Sequence, residues 1–151
     1  MDLQLRTLLA VLVVVGLAGM ATSAHPPQET SRSVWDGVYT AEQAKRGEAL
    51  YKKECGACHG DMLSGGEMAP PLAGGAFLSN WNGLTVGDLF ERIRKTMPTQ
   101  KPGKLSRTVY LDVMAHMLSA NDFPAGDKEL PEDTERMKQI LIEMTKPEKK
   151  K

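Results

Sequence analysis

The feature that most constrains this chain is a run of five residues, Cys55-Gly56-Ala57-Cys58-His59, which holds both cysteines of a 151-residue sequence beside one of its 3 histidines. Two thiols separated by two residues, with an imidazole directly after, place three metal- or carbon-reactive groups within about one and a half turns of helix. Several chemistries use part of this string. A thioredoxin-type dithiol needs C-x-x-C in a βαβ setting, but no strand-like alternation of useful length occurs here. A structural zinc site needs four ligands, which this chain could complete only from widely scattered residues. A disulfide between Cys55 and Cys58 would leave His59 without a part.

Attachment of c-type haem uses all three side chains, and C-x-x-C-H is its signature. The two thiols reach the two vinyl groups on one porphyrin edge and form thioethers. The adjacent His59 then projects beneath the ring, where its imidazole can bind iron. One covalent haem c is therefore the expected cofactor. Aromatic residues make up only 5% of the chain, sparse for a small core, and a porphyrin would supply a large flat apolar body. The opposite face of the iron needs a second ligand. Of the 9 methionines, Met97 lies in a loop before Pro98, 38 residues beyond His59, enough chain to pass around the ring edge. Met62 is tethered too close to His59. Met68 would serve only if its loop rearranged. Met114 and Met117 lie on a helical apolar stripe that suits packing, as do Met137 and Met144. His116, mid-helix, reads as a packed histidine, and His25 has no assigned role.

Residues 1–24 read as an export signal: a short start, thirteen residues (8–20) without charge or hydrogen-bonding side chains, then a small-residue site ending at Ala24. The run falls short of the ~20 residues that span a bilayer; an uncleaved anchor is the alternative. Residues 25–38 read as a flexible lead-in, 39–145 as one domain, and 146–151 as a disordered tail. Within the domain, Thr40 with Gln43 forms a capping box for a helix to Glu54. Residues 60–84, rich in Gly and Pro, read as loop. Thr85 with Asp88 caps a helix to Thr96, and Ser106 caps one to about Ala120. Pro131 opens a fourth helix to about Thr145, with Met137, Ile140, Leu141 and Met144 at i, i+3, i+4 and i+7. The fold class is all-α, and the compartment expected from the signal is the periplasm.

From about Thr40 to Leu118 the chain resembles class I cytochrome c. The match rests on Gly47 and Tyr51 before the haem motif, on Ala69-Pro70-Pro71-Leu72-Ala73-Gly74 (similar to the family's G-P-x-L loop, with Ala69 for the usual Gly), on Met97-Pro98, and on the closing amphipathic helix. The resemblance implies three core helices around one haem plus a C-terminal helical extension. It implies that Gly47 marks a helix crossing, with Val113, Met114 or Met117 opposite. It also implies that the Pro70 carbonyl accepts a hydrogen bond from His59, and that Trp81 donates its indole N–H to a haem propionate. Residues 97–126 and Leu130-Pro131 look like cytochromes associated with quinoprotein alcohol dehydrogenases.

The function this implies is single-electron transport by a His/Met-ligated iron, without catalysis in the usual sense. The alternatives are a haem subunit of a larger periplasmic oxidoreductase, such as a quinoprotein alcohol dehydrogenase, and a haem enzyme or sensor with a labile sixth ligand. Basic and acidic side chains balance at 19 each, which disfavours a nucleic-acid binder. Locally, Arg92, Arg94, Lys95, Lys101, Lys104 and Arg107 form a basic run around Met97 with no acid inside it. A positive rim there would steer acidic redox partners, donor or acceptor.

Overall fold

Three long helices with side-chain caps frame the molecule. The computed structural model describes residues 32–67 and 69–148; the expected export signal, its cleavage site, Met68 and residues 149–151 lie outside the described residues. In chain order come β1 (Arg32–Ser33), a 3-10 turn (Val34–Asp36), α1 (Ala41–Glu54), α2 (Gly56–His59), α3 (Gly75–Trp81), α4 (Val86–Thr96), α5 (Arg107–Ala120), α6 (Thr134–Met137) and β2 (Ile140–Leu141). The fold is thus essentially all-α. β1 and β2 pair in parallel, Arg32 opposite Ile140 and Ser33 opposite Leu141.

Local chemistry explains where the long helices start. Thr85 caps α4 through its hydroxyl, and the Asp88 carboxylate returns to the Thr85 N–H, so two orphan donors are satisfied reciprocally. Ser106 caps α5. The Thr40 hydroxyl accepts from the Gln43 N–H, but the expected box is only half formed. Gln43 instead accepts from the Leu130 N–H at 2.9 Å and ties down the C-terminal segment.

α1 crosses α5 at Gly47. A Cβ there would run into the Asp112 carbonyl and stand 3.0 Å from His116 Cβ. The residues opposite Gly47 are therefore Asp112 and His116, not the expected Val113, Met114 or Met117. Asp112 and His116 are four apart and share one stripe of α5; the other three lie on neighbouring stripes and are buried. Arg46 locks the crossing, donating to both Asp112 oxygens at 3.1 and 3.0 Å and to Glu129 at 2.7 Å.

Three expected stretches differ. Residues 32–38, read as flexible, hold buried Val34 and Val38, and Trp35 donates its indole N–H to the Glu143 carbonyl at 2.9 Å. Residues 75–81, read as loop, form α3. The fourth helix over 131–145 shrinks to one turn, α6, before the chain extends. Buried Ile140 and Ile142 alternate with half-buried Leu141, a period of two that suits a strand. The extended backbone takes up long-range partners: Arg32 N–H on Gln139 O, Gly83 N–H on Ile142 O, and Ile142 N–H on Leu84 O, each at 2.8 Å. Met144, expected on that helix, is exposed outside it. Residues 146–148 of the expected tail are exposed as well.

Candidate haem centre

α1 ends at Cys55, which is also the N-cap of the single-turn α2. The Cys58 and His59 N–H groups both return to the Cys55 carbonyl, at 3.2 and 3.1 Å, so the two thiols and the imidazole follow one turn. Cys55 is half-buried and Cys58 exposed, and the two are not joined in a disulfide. Burial, then Glu54 and Cys58, pushes the Cys55 thiol up to about 11. Tyr51, buried beneath, donates to the Gly60 carbonyl at 2.7 Å.

His59 is buried, with Nδ1 2.8 Å from the Pro70 carbonyl oxygen. A carbonyl can only accept, so in the neutral imidazole Nδ1 is the protonated nitrogen and Nε2 the one with the lone pair. The loop delivering Pro70 folds back on Gly65. That residue has φ +79°, and a Cβ on it would lie 2.7 Å from Pro71 N and 2.8 Å from Ala69 O. The far end of the loop is held by Asn121, the C-cap of α5. Its Oδ1 accepts from the Gly74 N–H at 2.9 Å, and its Nδ2 donates to the Leu72 and Met117 carbonyls at 3.0 and 2.8 Å. The sequence reading missed Asn121; its only signal was an amide side chain at a helix end.

Met97 is the half-buried C-cap of α4, with extended backbone. Its N–H remains on Ile93 O at 2.8 Å, and its carbonyl accepts from the Tyr110 hydroxyl at 2.8 Å. Trp81 closes α3, rather than lying in a loop, and stands 6.2 Å from the Phe77 ring. The structure brings Cys55, Cys58, His59 and Pro70 into one cluster, whose hydrogen bonds among the described residues do not extend to Met97 or Trp81. Met114, Met117 and Met137 are buried in the core, whereas Met62 is 82% exposed. The His116 ring packs 5.4 Å from Tyr51, and its buried Nε2 has no partner among the described residues.

A family model described as "Cytochrome C oxidase, cbb3-type, subunit III" matches residues 42–117, half of the chain. The chain belongs to this family of c-type cytochromes. A search of the curated proteins finds no match. A solved structure, the sulfane dehydrogenase SoxCD from Paracoccus pantotrophus, is similar at 22% identity and a TM-score of 0.49, over 78% of this cytochrome. The cytochrome spans 65% of the length of that chain.

The family's cofactor is haem c, and the donor set fits it. Two unpaired thiols stand one turn apart, and His59 keeps Nε2 as the nitrogen with a free lone pair because Nδ1 is engaged. Among the described residues no group of three or more His, Cys, Asp or Glu side chains could hold a bare metal ion. The basic run of the cytochrome is less uniform than its sequence suggests. Glu91, one residue outside it, pairs with Lys95 at 2.8 Å and Arg94 at 3.2 Å. Lys95 foremost, with Arg94, holds the Glu91 carboxyl down to about 2. Arg107 donates to the Glu132 carbonyl and the Thr134 hydroxyl, both at 2.6 Å, and lies 4.5 Å over the Phe90 ring. Among the described residues Arg92, Lys101, Lys104 and Arg107 remain without an ion pair.

Proposed function

We propose that this cytochrome is an exported carrier of single electrons with one covalent haem. Cys55 and Cys58 would tether the haem through thioethers, and His59 Nε2 and the Met97 thioether would hold its iron. The observation that carries the reading is the His59–Pro70 hydrogen bond directly after two free cysteines. It fixes the tautomer and ring orientation that ligation requires, and makes the imidazole a more basic ligand. When bound, haem supplies a one-electron change at iron. The chain's own residues tether the group, exclude water from it and set its preference between oxidation states. A neutral, soft thioether from Met97 favours the reduced iron and raises the potential. The Trp81 indole N–H serves a propionate. Arg92, Lys101, Lys104 and Arg107, with part of the charge of Arg94 and Lys95, steer an acidic redox partner. The charge-free run at 8–20 supports export to the periplasm. Among the described residues no helix is long and apolar enough to cross a membrane.

The test is the absorption spectrum of the oxidised holo-protein. A methionine–iron charge-transfer band at the red edge is expected. It should vanish in Met97→Ala and survive in Met114→Ala, which only opens the core. A high-spin spectrum, or a band lost with Met114 and kept without Met97, would overturn the assignment.

A further inference from the structure

We propose that Tyr110 is a positioning residue for Met97, holding the methionine segment closed over the haem face. The inference rests on Met97 being the sixth ligand. Met97 is clamped from two sides. Its N–H belongs to α4 through Ile93 O. Its carbonyl turns out of the helix with the extended backbone and is one of the orphan acceptors of a helix end. The Tyr110 hydroxyl of α5 donates to that carbonyl at 2.8 Å. The tyrosine is itself fixed: its ring is 2% exposed and meets Phe90 edge-on at 6.4 Å and 86°. Phe90 lies under the Arg107 guanidinium, which is tied to Glu132 and Thr134 near α6. A methionine side chain has three rotatable bonds, so its sulfur is only as well placed as its backbone. Beyond Met97 the chain runs into a loop with Pro98, Pro102 and Gly103, and the Tyr110 contact is the anchor at the near end of that loop. Opening there is the route by which an external ligand replaces the thioether.

Tyr110→Phe keeps the ring and removes the donor. In the full-length oxidised holo-protein, imidazole capture at the iron should become about fivefold faster, the effect of losing one typical net hydrogen bond from the closed state. The charge-transfer band should be lost at correspondingly lower imidazole. Tyr39→Phe is the control: Tyr39 is also 2% exposed, and its hydroxyl likewise donates to a main-chain carbonyl, that of Phe123, so its capture rate should stay at wild type. An unchanged rate in Tyr110→Phe, or equal acceleration in Tyr39→Phe, overturns the proposal. If Tyr110→Phe yields no holo-protein, Phe90→Leu loosens the same ring while keeping the hydroxyl. Faster capture then supports the proposal, and an unchanged rate overturns it. Met97→Ala separates the two readings. If it loses the band while Tyr110→Phe behaves as wild type, only the role of Tyr110 fails; if it keeps the band, the sixth ligand lies elsewhere and both fall.

Discussion

Gly47→Ala is predicted to destabilise the protein, against the sign helix propensity alone would give. In an open helix the change stabilises by about 0.5–1 kcal/mol. Here the new Cβ would lie 2.5 Å from the Asp112 carbonyl carbon and nearer still to its oxygen. Carbon atoms settle about 3.5–4.0 Å apart, so α1 and α5 would have to separate by about 1 Å. The obstacle is main chain, and no rotamer change relieves it. Overpacking costs about 1–3 kcal/mol, and a main-chain clash lies at the upper end of that range. The net expectation is a loss of about 2 kcal/mol, which lowers the melting temperature by roughly 5–10 °C for a domain of this size. Thermal and urea unfolding of the holo-protein measure it. Gly75→Ala in α3 is the matched control: a Cβ there meets nothing within 4 Å, so that variant should match or exceed wild type. Gly47→Ala as stable as wild type would refute the close crossing.

Asn121→Ala should cost about 1–3 kcal/mol in urea unfolding, because part-buried main-chain groups of the Pro70 loop and the buried Met117 carbonyl lose their partner, and on the proposed ligation it should raise the reduction potential as His59 loses the support that makes it a more basic ligand. Burial holds the His116 imidazole below its ordinary 6.5, with Glu48 opposing and Lys52 reinforcing the shift. The folded state therefore binds the proton less readily than the unfolded chain. Stability is full above pH 6.5 and declines as the pH drops below it, and His116→Gln should flatten that slope in melting curves ahead of the carboxylate range. Electron exchange with an acidic redox protein should slow as ionic strength rises. Replacing Arg92, Lys101 and Lys104 together by Gln should weaken that salt dependence in stopped-flow traces.

The parts legible in the sequence are those specified within a few residues. α4 and α5 begin where a cap and an apolar stripe coincide, at Thr85 and Ser106, and the haem motif is contiguous. What could not be read depends on distant partners. α3 has no side-chain cap; the Gly74 N–H before it is taken by Asn121, 47 residues away. Met137, Ile140, Leu141 and Met144 carry a helical spacing, yet Ile142 is equally apolar, and the main chain of Arg32 and residues 83–84 decides in favour of extension. Gln43 looks like the second half of a capping box until Leu130 arrives to claim it. Arg107 reads as surface charge because nothing local announces Phe90 beneath it. The Pro70 contact to His59 was foreseeable by resemblance alone. The Tyr110 contact to Met97 was hidden because it spans a loop and joins two helices.

Tyr110 and Asn121 lie on one helix and its cap, eleven residues apart, about 16 Å at ~1.5 Å per residue. One grips the Met97 carbonyl, the other the loop carrying Pro70. On the proposed ligation, α5 works as a caliper whose two jaws hold the supports of the two proposed iron ligands. Any strain that tilts or stretches it, including pressure from α1 at Gly47, reaches both jaws together. Changes at the α1–α5 crossing should then register in the redox potential as well as in the melting temperature, although no residue of that crossing is among the proposed iron ligands.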